Sequence, residues 1–194
     1  ELKLSVFPWL AITTGEVSLG NPAGFGDEPF LTLKRASLSV KLMPLLRKQL
    51  QIGRIEIDGL DLKLKQDAAG KGNWEDWGSS DEPAQPESAQ GAAVTNLDLA
   101  GIVIADGRIE FEDMVASSVN VEIGRVASGA AIPVDLRMGL VTAPAGKALP
   151  LTAKFKLTID LDAQRYQLAD LLLGGSVQPE GAPKTLQWQF ASPA

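Results

Sequence analysis

Two stretches of the chain carry one pattern twice. Leu50–Leu64 reads L-Q-I-G-R-I-E-I-D-G-L-D-L-K-L, and Leu97–Phe111 reads L-D-L-A-G-I-V-I-A-D-G-R-I-E-F. Leu50, Ile52, Ile55 and Ile57 match Leu97, Leu99, Ile102 and Ile104 at one constant offset. Gly59 matches Gly107 after a one-residue slip, and Leu62 and Leu64 match Ile109 and Phe111. Apolar residues alternate with polar ones, the period of a strand with one greasy and one wet face. The phase flips at Gly53, near Gly59 and around Gly101, where a glycine permits a bulge or bend that keeps the apolar set on one side. The pattern predicts a repeated, bending β-sheet whose single apolar face has to be covered.

The remaining chain continues the alternation. Short strands are predicted over Glu1–Val6, Ala11–Leu19 and Leu31–Leu42, with the turn-rich loop Asn21-Pro22-Ala23-Gly24-Phe25-Gly26 before the third. Pro44–Gln49 fits one helical turn with proline near its start. Further strands are expected over Val119–Val126, Ile132–Val141, Leu149–Leu161, Gln167–Val177 and Leu186–Phe190. In the cleanest of them Leu151, Ala153, Phe155, Leu157, Ile159 and Leu161 oppose Thr152, Lys154, Lys156, Thr158, Asp160 and Asp162. Gln164–Leu173 is the other candidate helix. With so little helix, the apolar faces have three outlets: a sandwich, a barrel, or a groove filled by an apolar ligand.

Gly78–Ala93 is different material, with two prolines, no aromatic residue and no large aliphatic one. It reads as a flexible linker or loop. It divides the chain into a first β-repeat segment (1–77), the linker (78–93) and a second β-repeat segment (94–194) that continues the same sheet.

Composition narrows the chemistry. The 194 residues include no Cys and no His. This removes a thiol nucleophile, a disulfide framework, a His-based triad and the usual zinc sites. A net charge of −6 has the wrong sign for gripping nucleic acid or anionic headgroups. No apolar run of about 18 residues is present to span a membrane. The chain opens at Glu1 inside an alternating strand without an initiating Met, which reads as a piece of a longer protein with room for a signal or anchor upstream.

Several motifs recur in a specific order. An early strand ends in L-G-N-P-A-G-F-G (Leu19–Gly26), and a later one enters Met43-Pro44-Leu45-Leu46. Then come L-x-I-x-x-I-x-I-D-G-x-x-L-x-L (Leu50–Leu64), Gly70, Gly72, Asn73 and Trp74 in a G-x-N-W setting, and I-x-I-x-D-G-x-I-x-F-x-D (Ile102–Asp113). In these features the chain resembles the AsmA family of Gram-negative bacteria, closely over Glu1–Asp113 and more loosely from Met114 to Ala194. The resemblance implies a mostly-β fold: a curved, repeat-built antiparallel sheet forming an open U-shaped trough, with one or two short helices. It also implies periplasmic placement, an inner-membrane anchor ahead of this chain, and a part in phospholipid transport between inner and outer membrane. Acyl chains would lie along Leu38, Val40, Leu42, Ile55, Ile57, Leu62, Leu64, Ile102, Ile104, Ile109, Phe111, Phe155, Leu157 and Ile159. Other expected partners are envelope proteins; no nucleic acid, cofactor or metal is expected.

Blander readings stand beside these. The apolar face also suits a closed sandwich core in a structural or outer-membrane assembly module. Asn21–Phe25 reads first as a path-fixing turn, and Trp74 and Trp77 as caps on the end of the trough or core. Glu110, Glu112 and Asp113 are the best carboxylate cluster, but Ile109 and Phe111 take the other face, which leaves the acids on the wet side. Asp160 and Asp162 read as a solvated strand face, and no enzyme activity is expected. Lys63, Lys65, Lys154 and Lys156 would keep the outer side soluble.

Overall fold

The computed structural model describes residues 3–5, 9–46, 51–75, 98–127, 129–142, 146–160, 165–178 and 184–192. The expected linker 78–93 and Trp77 lie outside them. Strands β1 (Lys3–Ser5), β2 (Trp9–Thr14), β3 (Val17–Gly20), β4 (Pro29–Leu33) and β5 (Arg35–Lys41) precede helix α1 (Leu42–Leu46). Strands β6 (Gln51–Asp58) and β7 (Asp61–Leu64) carry the first repeat and β8 (Asp98–Phe111) the second. Then follow β9 (Met114–Ile123), β10 (Val126–Ala127), β11 (Ile132–Thr142), β12 (Leu149–Asp160), β13 (Arg165–Val177) and β14 (Leu186–Ser192).

These 14 strands form one open sheet in the order β1-β2-β5-β6-β8-β9-β11-β12-β13-β14; β3 pairs with β4, β4 with β7, and both β7 and β10 with β8. The mostly-β fold expected from the alternation is what the chain adopts, and the sheet does not close into a barrel.

The two repeats are neighbours in this sheet. Ile52, Ile55 and Ile57 lie opposite Leu99, Ile102 and Ile104, and Leu62 and Leu64 opposite Ile109 and Phe111. The offset is therefore the same on both sides of Gly59, and the slip seen in the sequence is local. Both contacts run parallel. A parallel neighbour that shows its apolar residues on the same face needs the same pattern in the same register, which is why the sequence repeats. The expected antiparallel sheet is thus mixed. Hairpins suffice between antiparallel strands, whereas residues 65–97 supply the length that a parallel crossover requires.

Two local expectations are corrected. Most of Gln164–Leu173 is strand β13, not helix. Leu168 pairs with Leu157 and Leu173 with Ala153, with a bulge between them at Asp170 (φ 53°). One extra residue in a strand turns the spacing of two apolar neighbours from two to three, which imitates a helical period. Leu42 does not join the apolar row of β5 but opens α1. Pro44 has no N–H for a ladder and suits a first helical turn, so the strand stops at Lys41.

A line of irregularities crosses the sheet in register. Strand β2 gives way to β3 at Gly15–Glu16, β4 to β5 at Lys34, and β6 to β7 at Gly59–Leu60. Strands β8 and β9 cross the line unbroken but each carries a bulge, at Asp106 (φ 51°) and Ser118 (φ 49°). The breaks adjoin: Lys34 N–H donates to the Asp58 carbonyl at 3.0 Å, and Gly59 N–H to the Ala105 carbonyl at 2.9 Å. Because neighbouring strands flip phase together, apolar residues return to one face on both sides of the crease. Gly53 and Gly101 sit at a second such place; a Cβ on Gly101 would lie 2.6 Å from the Ile123 carbonyl oxygen.

Gly59 holds φ at +63°, and the Lys34 stem fills the space where its Cβ would stand. The same lysine reaches Asp106 Oδ2 at 3.1 Å. Gly59→Val is expected to destabilise the protein by about 2 kcal/mol, lowering the melting temperature by roughly 4–8 °C. Asn tolerates this backbone conformation but still needs the Lys34 stem to move for its Cβ, so Gly59→Asn should recover only the backbone part of the loss in a circular-dichroism melt.

Candidate functional site

The register gathers the apolar side chains into rows that run across the strands. One row is Ile12, Leu38, Ile55, Ile102, Ile123, Val134 and Phe155. A second is Ala36, Ile57, Ile104, Val121, Leu136, Ala153, Leu173 and Phe190. Others join Val40 to Ile52 and Leu99, Leu62 to Ile109 and Ala116, Leu64 to Phe111 and Met114, Leu157 to Ile132 and Leu168, and Ile159 to Tyr166. Cross-strand partners project to the same side of a sheet. The residues expected along a groove therefore share one face, with Leu42 the exception. Neighbouring strands lie about 4.8 Å apart, so the longest row extends over roughly 30 Å.

No second layer covers this face among the described residues. Every substantial contact between elements joins hydrogen-bonded neighbours, apart from α1 against β5. Phe30, Leu99, Val119 and Ile132 are the buried apolar side chains there. Ile55, Ile57, Ile102, Ile104, Phe155 and Leu157 are only half-buried. Toward the β14 edge the face is more open, with Leu186 58% and Phe190 54% exposed. A closed sandwich would bury these positions at interior density; the described strands form a single layer instead.

The opposite face is polar and carries several ion pairs. Asp135 accepts from Lys154 at 2.7 Å and lies 3.3 Å from Arg137, and Lys156 meets the bulged Asp170 at 2.8 Å. The hydrogen bond from Lys154 outweighs partial burial and holds the Asp135 carboxyl below its ordinary range; the bond to Asp170 raises the Lys156 ammonium above its own. Glu110 is tied to Arg108 at 3.1 Å, while Glu112 (φ 51°) and Asp113 form the exposed turn between β8 and β9.

Two motifs far apart in sequence meet at the end of the sheet. Asn73 is fully buried. Its Nδ2 donates to Asn21 Oδ1 at 2.8 Å and to the Lys63 carbonyl at 2.9 Å, while its Oδ1 accepts from the Lys65 N–H at 3.0 Å. Asn21 Nδ2 in turn donates to the Glu28 carbonyl at 2.9 Å. The asparagine of the G-x-N-W motif thus fastens the N-P-x-G-F loop to the end of β7. Trp74 then meets Phe111 edge-on at 5.9 Å, beside the last apolar row. The tryptophan signalled an end cap in the sequence; nothing there linked Asn21 to Asn73.

Glu28 carries the same junction on its charged side, 3.1 Å from Lys65 and 3.6 Å from Lys63. The Lys65 hydrogen bond, helped by the Lys63 charge, holds its carboxyl below the ordinary 4.5. A depressed folded-state value stabilises above the unfolded value, and that contribution disappears as pH falls through the folded one. Thermal stability is therefore expected to decline below about pH 4.5, and Glu28→Gln should flatten part of that slope. At pH 7 the same variant should change little, since exposed pairs are screened.

An open, single-layer sheet with one uncovered apolar face defines a protein that presents a broad hydrocarbon-like surface instead of a closed core. A model of the AsmA family matches residues 1–174. The chain belongs to the AsmA family. That family is generally associated with the cell envelope and suggests a role in envelope lipid or protein assembly. No curated protein and no solved structure was found to match the chain. Among the described residues, no helix is long and apolar enough to cross a membrane.

Proposed function

We propose that the apolar face binds phospholipid acyl chains and that the chain works in the periplasm as part of a lipid path between the inner and outer membranes, held at the inner membrane in the full-length protein. The observation that carries this reading is the uncovered set of apolar rows that together extend from β2 to β14. Exposed apolar patches of this extent ordinarily mark a binding surface. Each methylene moved from water onto such a surface gains about 0.8 kcal/mol, so a whole acyl chain is held firmly. The gain is spread over many similar contacts, which favours sliding over fixed binding. Headgroups would remain at the wet rim. Nothing in this mechanism calls for a catalytic residue, and Glu110 beside Arg108 acts as a surface pair.

Incubation with phosphatidylethanolamine–phosphatidylglycerol vesicles, followed by sedimentation, tests the reading. Phospholipid is expected in the supernatant with the protein, in proportion to protein added. A supernatant free of lipid at every protein concentration would contradict it.

A further inference from the structure

Among the described residues, the apolar face carries a hollow on β11–β14. In the row Leu136–Ala153–Leu173 the small Ala153 stands between two leucines. In the adjoining row Met138–Leu151–Gly175–Trp188, Gly175 has no side chain and the Trp188 indole lies where its Cβ would be. The indole is thereby laid flat against β13 and walls the hollow from the β14 side. Leu136, Met138, Leu151, Ala153, Leu173 and Trp188 line a half-open hollow of about 160 Å³. The Thr152 hydroxyl beside it is already engaged, donating to the Gly174 carbonyl at 3.3 Å. No charged side chain borders it. A closed apolar cavity of about 150 Å³ accepts a six-carbon ring, so by volume this hollow matches a hydrocarbon segment of about six carbons.

We propose that this hollow is a discrete seat for one acyl chain, a preferred stop on a face whose described residues otherwise form rows of similar apolar side chains. The inference rests on the lipid-binding reading above. Filling or unwalling the hollow separates the two. Ala153 is half-buried on an open face, so Ala153→Phe has room to fold while its ring occupies the seat. Trp188→Ala removes the wall on a strand that, among the described residues, pairs with β13 alone, where structural damage is smallest.

The test is photolabelling with a phospholipid bearing a diazirine on its acyl chain, with sites mapped by peptide mass spectrometry. Label is expected to concentrate on Met138, Leu173 and Trp188. In Ala153→Phe it should fall at those positions on the order of tenfold, about what two methylenes lose on returning to water. Label elsewhere on the face should persist. Trp188→Ala should lower label at Met138 and Leu173 in the same direction, and decides the matter if Ala153→Phe does not fold. Label spread evenly over the face and unchanged in both variants would overturn the seat and leave the lipid-binding reading standing. Absence of label and of bound lipid altogether would overturn both.

Discussion

Replacing Leu157 by Asp is expected to leave the sheet folded while removing most of the bound lipid. Leu157 is half-buried in β12, flanked by Ile132 and by Leu168, which is 51% exposed. A carboxylate there stays within reach of water, so it avoids the large penalty of an unpaired charge in a closed core. A loss of about 1–2 kcal/mol in stability is reasonable for such a site. An acyl chain crossing β12 would meet an ionised group it cannot hydrate, and contact with several methylenes would be forfeited. Far-UV circular dichroism should remain that of a β-protein, and extracted phospholipid should fall severalfold. Thr158→Asp is the matched control, because Thr158 faces the polar side opposite Gln167. Lys156 is unsuitable for this purpose: an acid there would confront Asp170. An unfolded Leu157→Asp would mean that the face is a packed core.

Asn73→Ala is expected to be the most destabilising single change away from the apolar face. It strands the Lys65 N–H, the Lys63 carbonyl and Asn21 Oδ1, all partners of one fully buried amide. Buried polar groups left without partners cost about 1–3 kcal/mol each, although water reaches some of them once the side chain is gone. A total near 4 kcal/mol would lower the melting temperature by roughly 8–16 °C. Asn21→Ala should cost less, about 1 kcal/mol, since Asn21 is only half-buried and gives up two bonds. The two losses should not add, because both variants break the same Asn21–Asn73 bond; a double-mutant cycle measures the shortfall.

The apolar face was legible in the sequence because a period of two is a property of neighbouring residues. Ile55, Ile57, Ile102 and Ile104 could be placed on one side from the alternation alone. The flips at Gly53, Gly59 and Gly101 were legible too, since glycine marks backbone that other residues avoid. The bulges at Asp106, Ser118 and Asp170 were not. Aspartate is a residue that tolerates positive φ, but its presence in a polar strand face carries no other mark. The bulge at Asp170 was costly, because it turned β13 into an apparent helix. Parallel pairing of β6 and β7 with β8 lay hidden in the repeat itself: tandem and side-by-side copies look alike until register is known. The Asn21–Asn73 contact is set by tertiary structure, and neither asparagine reads as buried. The hollow at Ala153 depends on which small residues fall beside each other across strands, which only the pairing of β12, β13 and β14 reveals.

Everything proposed for this chain depends on the uncovered face carrying acyl chains. Native mass spectrometry of the protein after exposure to phosphatidylethanolamine–phosphatidylglycerol vesicles tests it most directly. A ladder of masses separated by intact phospholipid is expected, released by collisional activation, retained in Thr158→Asp and largely lost in Leu157→Asp. A spectrum of lipid-free protein alone, under conditions that preserve a known lipid carrier's complex, would contradict it.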